Sequence, residues 1–184
     1  KDRKHKEGFT GFNPFKIDPA LTGKELATTI TAQASNFATV VQSIYDQSGV
    51  SDPYFSSLNE TVTVSIAELL MLTYHLVHPG QVPKASDVQN LINDCSRCPY
   101  LDALIKHYSV HSVRDSGNDR TEQVAEVVDV GQWQQVYTTI NNDLLGENKA
   151  NMYDRCNGLR NLINNFLNDP LVRDVFEAEE TVDI

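Results

Sequence analysis

Apolar residues recur every three or four positions through several long stretches of this chain, and that spacing constrains the fold most. The stretch from 60 to 77 shows it best, with Val62, Ile66, Leu69, Leu70, Thr73 and Val77 on one face and Met71, Leu72 and Leu76 beside them. An α-helix has about 3.6 residues per turn, so this spacing brings the apolar side chains together. Because a helix that is apolar nearly all round is buried, we expect this one at the centre of the core.

The other periodic stretches predict further helices and no sheet. The predicted helices cover residues 22–48, 60–77, a short stretch capped by Ser86, a stretch beginning at Pro99, 131–145 and 150–167. Residues 51–58 are predicted to form a turn and 109–121 an exposed loop, while 122–130 fit a helix or a strand. The fold class that follows is all-α, an irregular bundle of five to six helices.

The two ends of the chain differ in character from this helical domain, which we place at 22–176. Residues 1–7 hold four of the fifteen basic residues, and Phe9, Phe12 and Phe15 follow in a Gly- and Pro-containing segment. Residues 1–21 are therefore predicted to be a basic and apolar N-terminal arm that docks on an apolar surface, of its own chain or of a partner. Residues 177–184 form an acidic tail.

The net negative charge of the chain limits the kinds of partner that it can bind. The formal net charge of the 184 residues is −10, and an acidic surface repels phosphate. Nucleic-acid binding is therefore disfavoured except through the N-terminal arm.

We find no secretory signal and no run of about 18 apolar residues, so we expect a soluble, intracellular protein without a membrane span. The triplet at Asn59 fits a glycosylation acceptor, which matters only in a secreted protein.

A cluster of cysteine and histidine is the sharpest chemical feature. Six of the eight Cys and His residues fall between 75 and 111. Zinc is held by four such ligands, and the set with the easiest geometry is His75, His78, Cys95 and Cys98. A helix beginning at Pro99 would carry His107 about 12 Å away from Cys98, too far to share the metal. The alternative is that the two cysteines are core thiols and the histidines are structural or surface residues.

A stripe of asparagines marks the last long predicted helix. Asn157, Asn161, Asn164 and Asn168 follow one another at steps of four, three and four, and Asn165 sits beside them. Asparagine is a poor helix former, so a function other than helix stability would account for the stripe. Side-chain amides both donate and accept hydrogen bonds without charge repulsion. The stripe therefore predicts a helix–helix interface between copies or a contact with a polar ligand; biased composition is the alternative.

Sequence patterns of known catalytic sites are missing: there is no GxSxG, GxxxxGK[ST], strand-linked GxGxxG or HExxH. We therefore expect a non-enzymatic structural or assembly subunit, without a cofactor, that acts through protein–protein contacts or self-assembly. The residues expected to meet a partner are Phe9, Phe12, Phe15, Asn157, Asn161, Asn164 and Asn168. The alternatives are a zinc-binding regulatory domain and a coat- or nucleocapsid-like protein with a basic arm.

Overall fold

The structure is a computed structural model, and it describes residues 12–47, 53–94, 98–110, 128–146, 150, 154 and 156–176. Within these ranges there are seven α-helices and no strand. They are α1 (Gly23–Gln47), α2 (Pro53–Val77), α3 (Ala85–Asn93), α4 (Pro99–Tyr108), α5 (Gln134–Thr138), α6 (Asn157–Asn168) and α7 (Pro170–Phe176). The all-α prediction is confirmed.

Helix α2 is the centre of the core, as its apolar pattern predicts. Every residue from Ser65 to Tyr74 is buried. Helices α1, α3, α4 and α5 all pack against α2, and between them they cover the stretch from Ser65 to Tyr74 on every side. Its buried threonines are satisfied within the helix, because the hydroxyls of Thr63 and Thr73 donate to the carbonyls of Asn59 and Leu69. These two hydroxyls therefore need no partner outside α2.

The remaining helices are placed around the α1–α2 pair. Helix α6 packs against both α1 and α3, and α7 packs back onto α6 through an edge-to-face contact of Phe166 with Phe176 at 5.3 Å between ring centroids. The buried face of α6 consists of Leu159, Arg160, Ile163 and Leu167. Because the asparagines alternate with these residues at helical spacing, the core contact of α6 turns them towards the surface.

Part of the N-terminal arm belongs to this core. The side chain of Phe15 is 1% exposed and contacts Phe37 of α1 edge to face, with 4.9 Å between ring centroids. Asn13 donates from Nδ2 to the carbonyl of Pro83 at 3.0 Å and accepts from the backbone N–H of Phe15 at 2.9 Å. At these residues the arm docks on its own chain, which is the intramolecular alternative predicted above.

Two helix predictions need correction. Residues 53–58 are not a turn, because α2 already begins at Pro53. The N–H of the first residue of a helix has no partner within the helix, so proline, which has no N–H, loses no hydrogen bond at that position. The predicted helix at 131–145 is instead a 3₁₀ turn at Gly131–Trp133, then α5, then a π-helix at Thr139–Leu145. The exposed loop predicted at 109–121 lies largely outside the described residues, but the N–H of Val110 donates to the carbonyl of Asp129 at 2.8 Å.

One described segment, Ser57–Val77 in α2, is long and apolar enough to cross a membrane. Two thirds of it, 67%, is buried against the other helices. The core helix of a soluble protein has the same length and composition, and the burial of this segment is what such a helix requires.

Candidate functional site

The asparagines of α6 form an exposed face, as predicted. Asn157, Asn161, Asn165 and Asn168 are exposed, and Asn164 is half-buried at the edge of the face. Because the apolar residues of α6 point into the core, these carboxamides project from the opposite side of the helix. Gly158 is the other exposed residue of this face, so the described outer surface of α6 carries amides and no charge.

Helix α3 extends this face, which sequence reasoning missed. Gln89 donates from Nε2 to Oδ1 of Asn164 at 2.8 Å, and Asn93 donates from Nδ2 to the same oxygen at 3.0 Å. Asn164 in turn donates from Nδ2 to Oδ1 of Asn93 at 3.3 Å. The two helices therefore share one hydrogen-bonded amide network. The spacing of Gln89 and Asn93, four residues apart on a helix, was the signal that could have revealed them.

We call this region the amide surface and define it as Gln89, Asn93, Asn157, Asn161, Asn164, Asn165 and Asn168. A buried cation lies beneath the amide surface: the guanidinium of Arg160, 7% exposed, donates from Nε to the carbonyl of Ile92 at 3.3 Å. The same guanidinium donates from Nη1 to Oδ1 of Asn157 at 3.4 Å. Arg160 thus links α6 to the end of α3 from inside and fixes the relative position of the two parts of the amide surface.

The three predicted phenylalanine contacts fall in different places. Phe12 is 46% exposed, so its ring is accessible to a partner. Phe15 is buried against Phe37 and belongs to the core rather than to a surface that a partner could reach. Phe9 lies outside the described residues. Val82, beside the Pro83 carbonyl that binds Asn13, is also exposed, at 41%.

Three of the four predicted zinc ligands lie within the described residues. His75 is exposed, His78 is half-buried, and Cys98 is buried directly before α4; Cys95 lies outside the described residues. Within the described ranges, no group of three or more His, Cys, Asp and Glu side chains could hold a metal ion. The four-ligand site stays a prediction. Helix α4 is continuous from Pro99 to Tyr108, which keeps Cys98 and His107 apart as expected.

His78 takes part in an aromatic cluster instead. Its Nε2 shares a 3.1 Å hydrogen bond with the hydroxyl of Tyr100, whose ring stacks on Tyr74 at 5.7 Å between centroids. Burial, followed by the nearby Tyr74, Asp87 and Cys98, raises the pKa of Tyr100 to about 12. Burial and then Asp87 also raise the pKa of Tyr74. Both phenols therefore stay protonated at neutral pH, and the cluster ties the end of α2 to α4.

The chain was compared with protein-family models, curated proteins and solved structures, and none of the three comparisons finds a match.

Proposed function

We propose that this protein is a non-enzymatic structural or assembly subunit that associates with further copies of itself through the amide surface. The observation that carries the proposal is the exposed, uncharged face of α6, continued by the amides of α3 that bind Asn164.

Charge supports this surface as the contact between copies. With a formal net charge of −10, two copies repel one another over most relative orientations. The described outer surface of α6 presents only Asn157, Gly158, Asn161, Asn165 and Asn168, so the helix itself adds no charge to this repulsion; the exposed Asp154 and Asp169 lie beyond its two ends. Two copies that meet through this face of α6 therefore bring amides, and no like charges of the helix itself, into contact.

Hydrogen-bonding chemistry supports a second copy as the partner. A carboxamide carries two N–H donors and one carbonyl acceptor, so a row of amides is complementary to an identical row. A contact of this kind is isologous, with the same residues on both sides of a two-fold axis. Because the surface has no large apolar anchor, we expect a dissociation constant above about 1 µM.

The test is the solution mass by light scattering, from about 10 µM to 1 mM, concentrations that bracket weak association. The wild type should rise above the monomer mass of 20.6 kDa. The combined variant Asn157→Glu, Asn161→Glu, Asn168→Glu should stay at that mass, because it places like charges face to face. Asn36→Glu is the matched control, since Asn36 is exposed on α1, and it should behave as the wild type. A monomeric wild type, or a triple variant that still associates, would overturn the proposal.

A further inference from the structure

A cleft between α2 and α5 shares no residue with the amide surface, so it is independent of the proposed self-association. Its volume is about 350 Å³. It is lined by Glu60, Thr61, Val64, Ser65, Glu68 and Gln135, five of them from successive turns of α2. A cleft of this volume is at the small end of the range that accommodates organic ligands.

The polar atoms that the cleft offers are mainly acceptors, because two of its donor groups already donate within the protein. The Thr61 hydroxyl donates to the carbonyl of Ser57 at 3.0 Å. Gln135 donates from Nε2 to the hydroxyl of Thr139, the first residue of the π-helix, at 3.1 Å. The carboxylates of Glu60 and Glu68 and the Oε1 atom of Gln135 remain as acceptors. A complementary ligand is therefore rich in N–H donors.

The buried acid Glu68 favours a positively charged ligand in this cleft. Its side chain is only 8% exposed, yet within the described part of the chain it has no cationic partner. Among the described residues, the donor to Glu68 is the Thr31 hydroxyl, which reaches Oε1 at 2.8 Å. A buried carboxylate without a positive partner is costly, and a cation entering the cleft would remove that cost.

We propose that this cleft binds a small organic ammonium ion, whose N–H groups donate to Glu68 and Gln135 while Glu60 lies at the exposed side. An ammonium ion fits better than a divalent metal ion, which needs about six or more oxygen ligands held together. Only two carboxylates line the cleft, and Glu60 is exposed.

The test is a calorimetric and NMR titration of the full chain with 1,4-diaminobutane at about pH 7.5, where the amine is charged. We expect saturable binding that shifts the side-chain amide signals of Gln135. Neutral 1-butanol, of similar length, should not bind. Glu68→Gln should weaken binding at least about tenfold, because it removes a charge-assisted hydrogen bond, and Glu60→Gln should weaken it less.

Two controls separate this site from other effects. Glu25→Gln removes the same charge from an exposed position in the first turn of α1 and should change affinity less than about twofold. The triple asparagine variant should bind diaminobutane as the wild type does, which separates this site from self-association. Since glutamine can still accept from Thr31, Glu68→Gln should fold, and its unfolding transition verifies this. Unchanged binding by Glu68→Gln, or an equal loss in Glu25→Gln, would overturn the proposal.

Discussion

The hydroxyl of Thr31 on α1 donates a 2.8 Å hydrogen bond to the carboxylate of Glu68 on α2. This bond joins the two longest helices of the molecule at the position where α2 must bury an acid. Burial raises the pKa of Glu68, and the hydrogen bond from Thr31 lowers it in part. The protonated side chain is therefore favoured in the folded protein relative to the unfolded chain.

This relationship predicts a pH-dependent stability. When the pKa of a carboxyl is higher in the folded protein than in the unfolded chain, its protonation stabilises the fold. For Glu68 this stabilisation is complete below the unfolded-chain pKa of 4.5 and is lost as the pH rises through the folded-state pKa. Glu68→Gln has no such loss, so it should unfold at higher urea than the wild type at about pH 7, while the two should nearly agree at about pH 4. Urea unfolding at both pH values measures the difference. An equal difference at the two pH values would contradict the assignment.

Truncation of two phenylalanines in the N-terminal arm should have unequal effects. Phe15→Ala removes a ring buried against Phe37 and should lower the free energy of unfolding by about 3–5 kcal/mol. Phe12→Ala removes an exposed ring and should change it by less than about 0.5 kcal/mol. Chemical denaturation checks both. Equal effects would mean that the arm does not dock through Phe15.

The amide network should contribute measurable stability through Asn164. Asn164→Ala removes the acceptor of two hydrogen bonds from Gln89 and Asn93 and should cost about 1 kcal/mol more than Asn161→Ala. Asn161→Ala is the matched control. It also replaces an asparagine of α6 by alanine and so brings the same gain in helix propensity, but on the exposed face of the helix. Denaturation midpoints measure the difference, and identical midpoints would show that the network does not join α3 to α6.

The acceptor triplet at Asn59 should not be glycosylated in the folded protein. Asn59 is 4% exposed and lies within α2, so its Nδ2 atom is inaccessible to a modifying enzyme. After expression through a secretory pathway, where glycans are added before the chain folds, the folded fraction should keep an intact mass of 20.6 kDa, because a chain with a glycan on Asn59 could not bury that side chain. As a positive control, Pro170→Thr creates a triplet at the exposed Asn168, where a glycan should appear. A glycan on Asn59 in the folded protein would contradict its burial.

The sequence predicted those features that depend on local periodicity. The apolar residues of α2 predicted its burial, Pro99 predicted the start of α4, and the asparagine spacing predicted one exposed face of α6.

Features that depend on distant packing were not predictable in the same way. Gln89 lies 75 residues from Asn164, and only the packing of α3 on α6 brings their amides together. The π-helix at Thr139–Leu145 has the same residue types as an ordinary helix, so composition did not distinguish it. The cleft needs Gln135 of α5 beside α2, a relationship that no sequence spacing shows.

The most direct test of assembly through the amide surface is an NMR dilution series that follows the side-chain amide signals of the asparagines. From about 1 mM to 10 µM, the signals of Asn157, Asn161 and Asn168 should shift together with the apparent mass, because their N–H groups exchange a partner's carbonyl for water. The signal of Asn36, exposed on α1, should not move. Association without shifts on α6, or no association at 1 mM, would contradict the account.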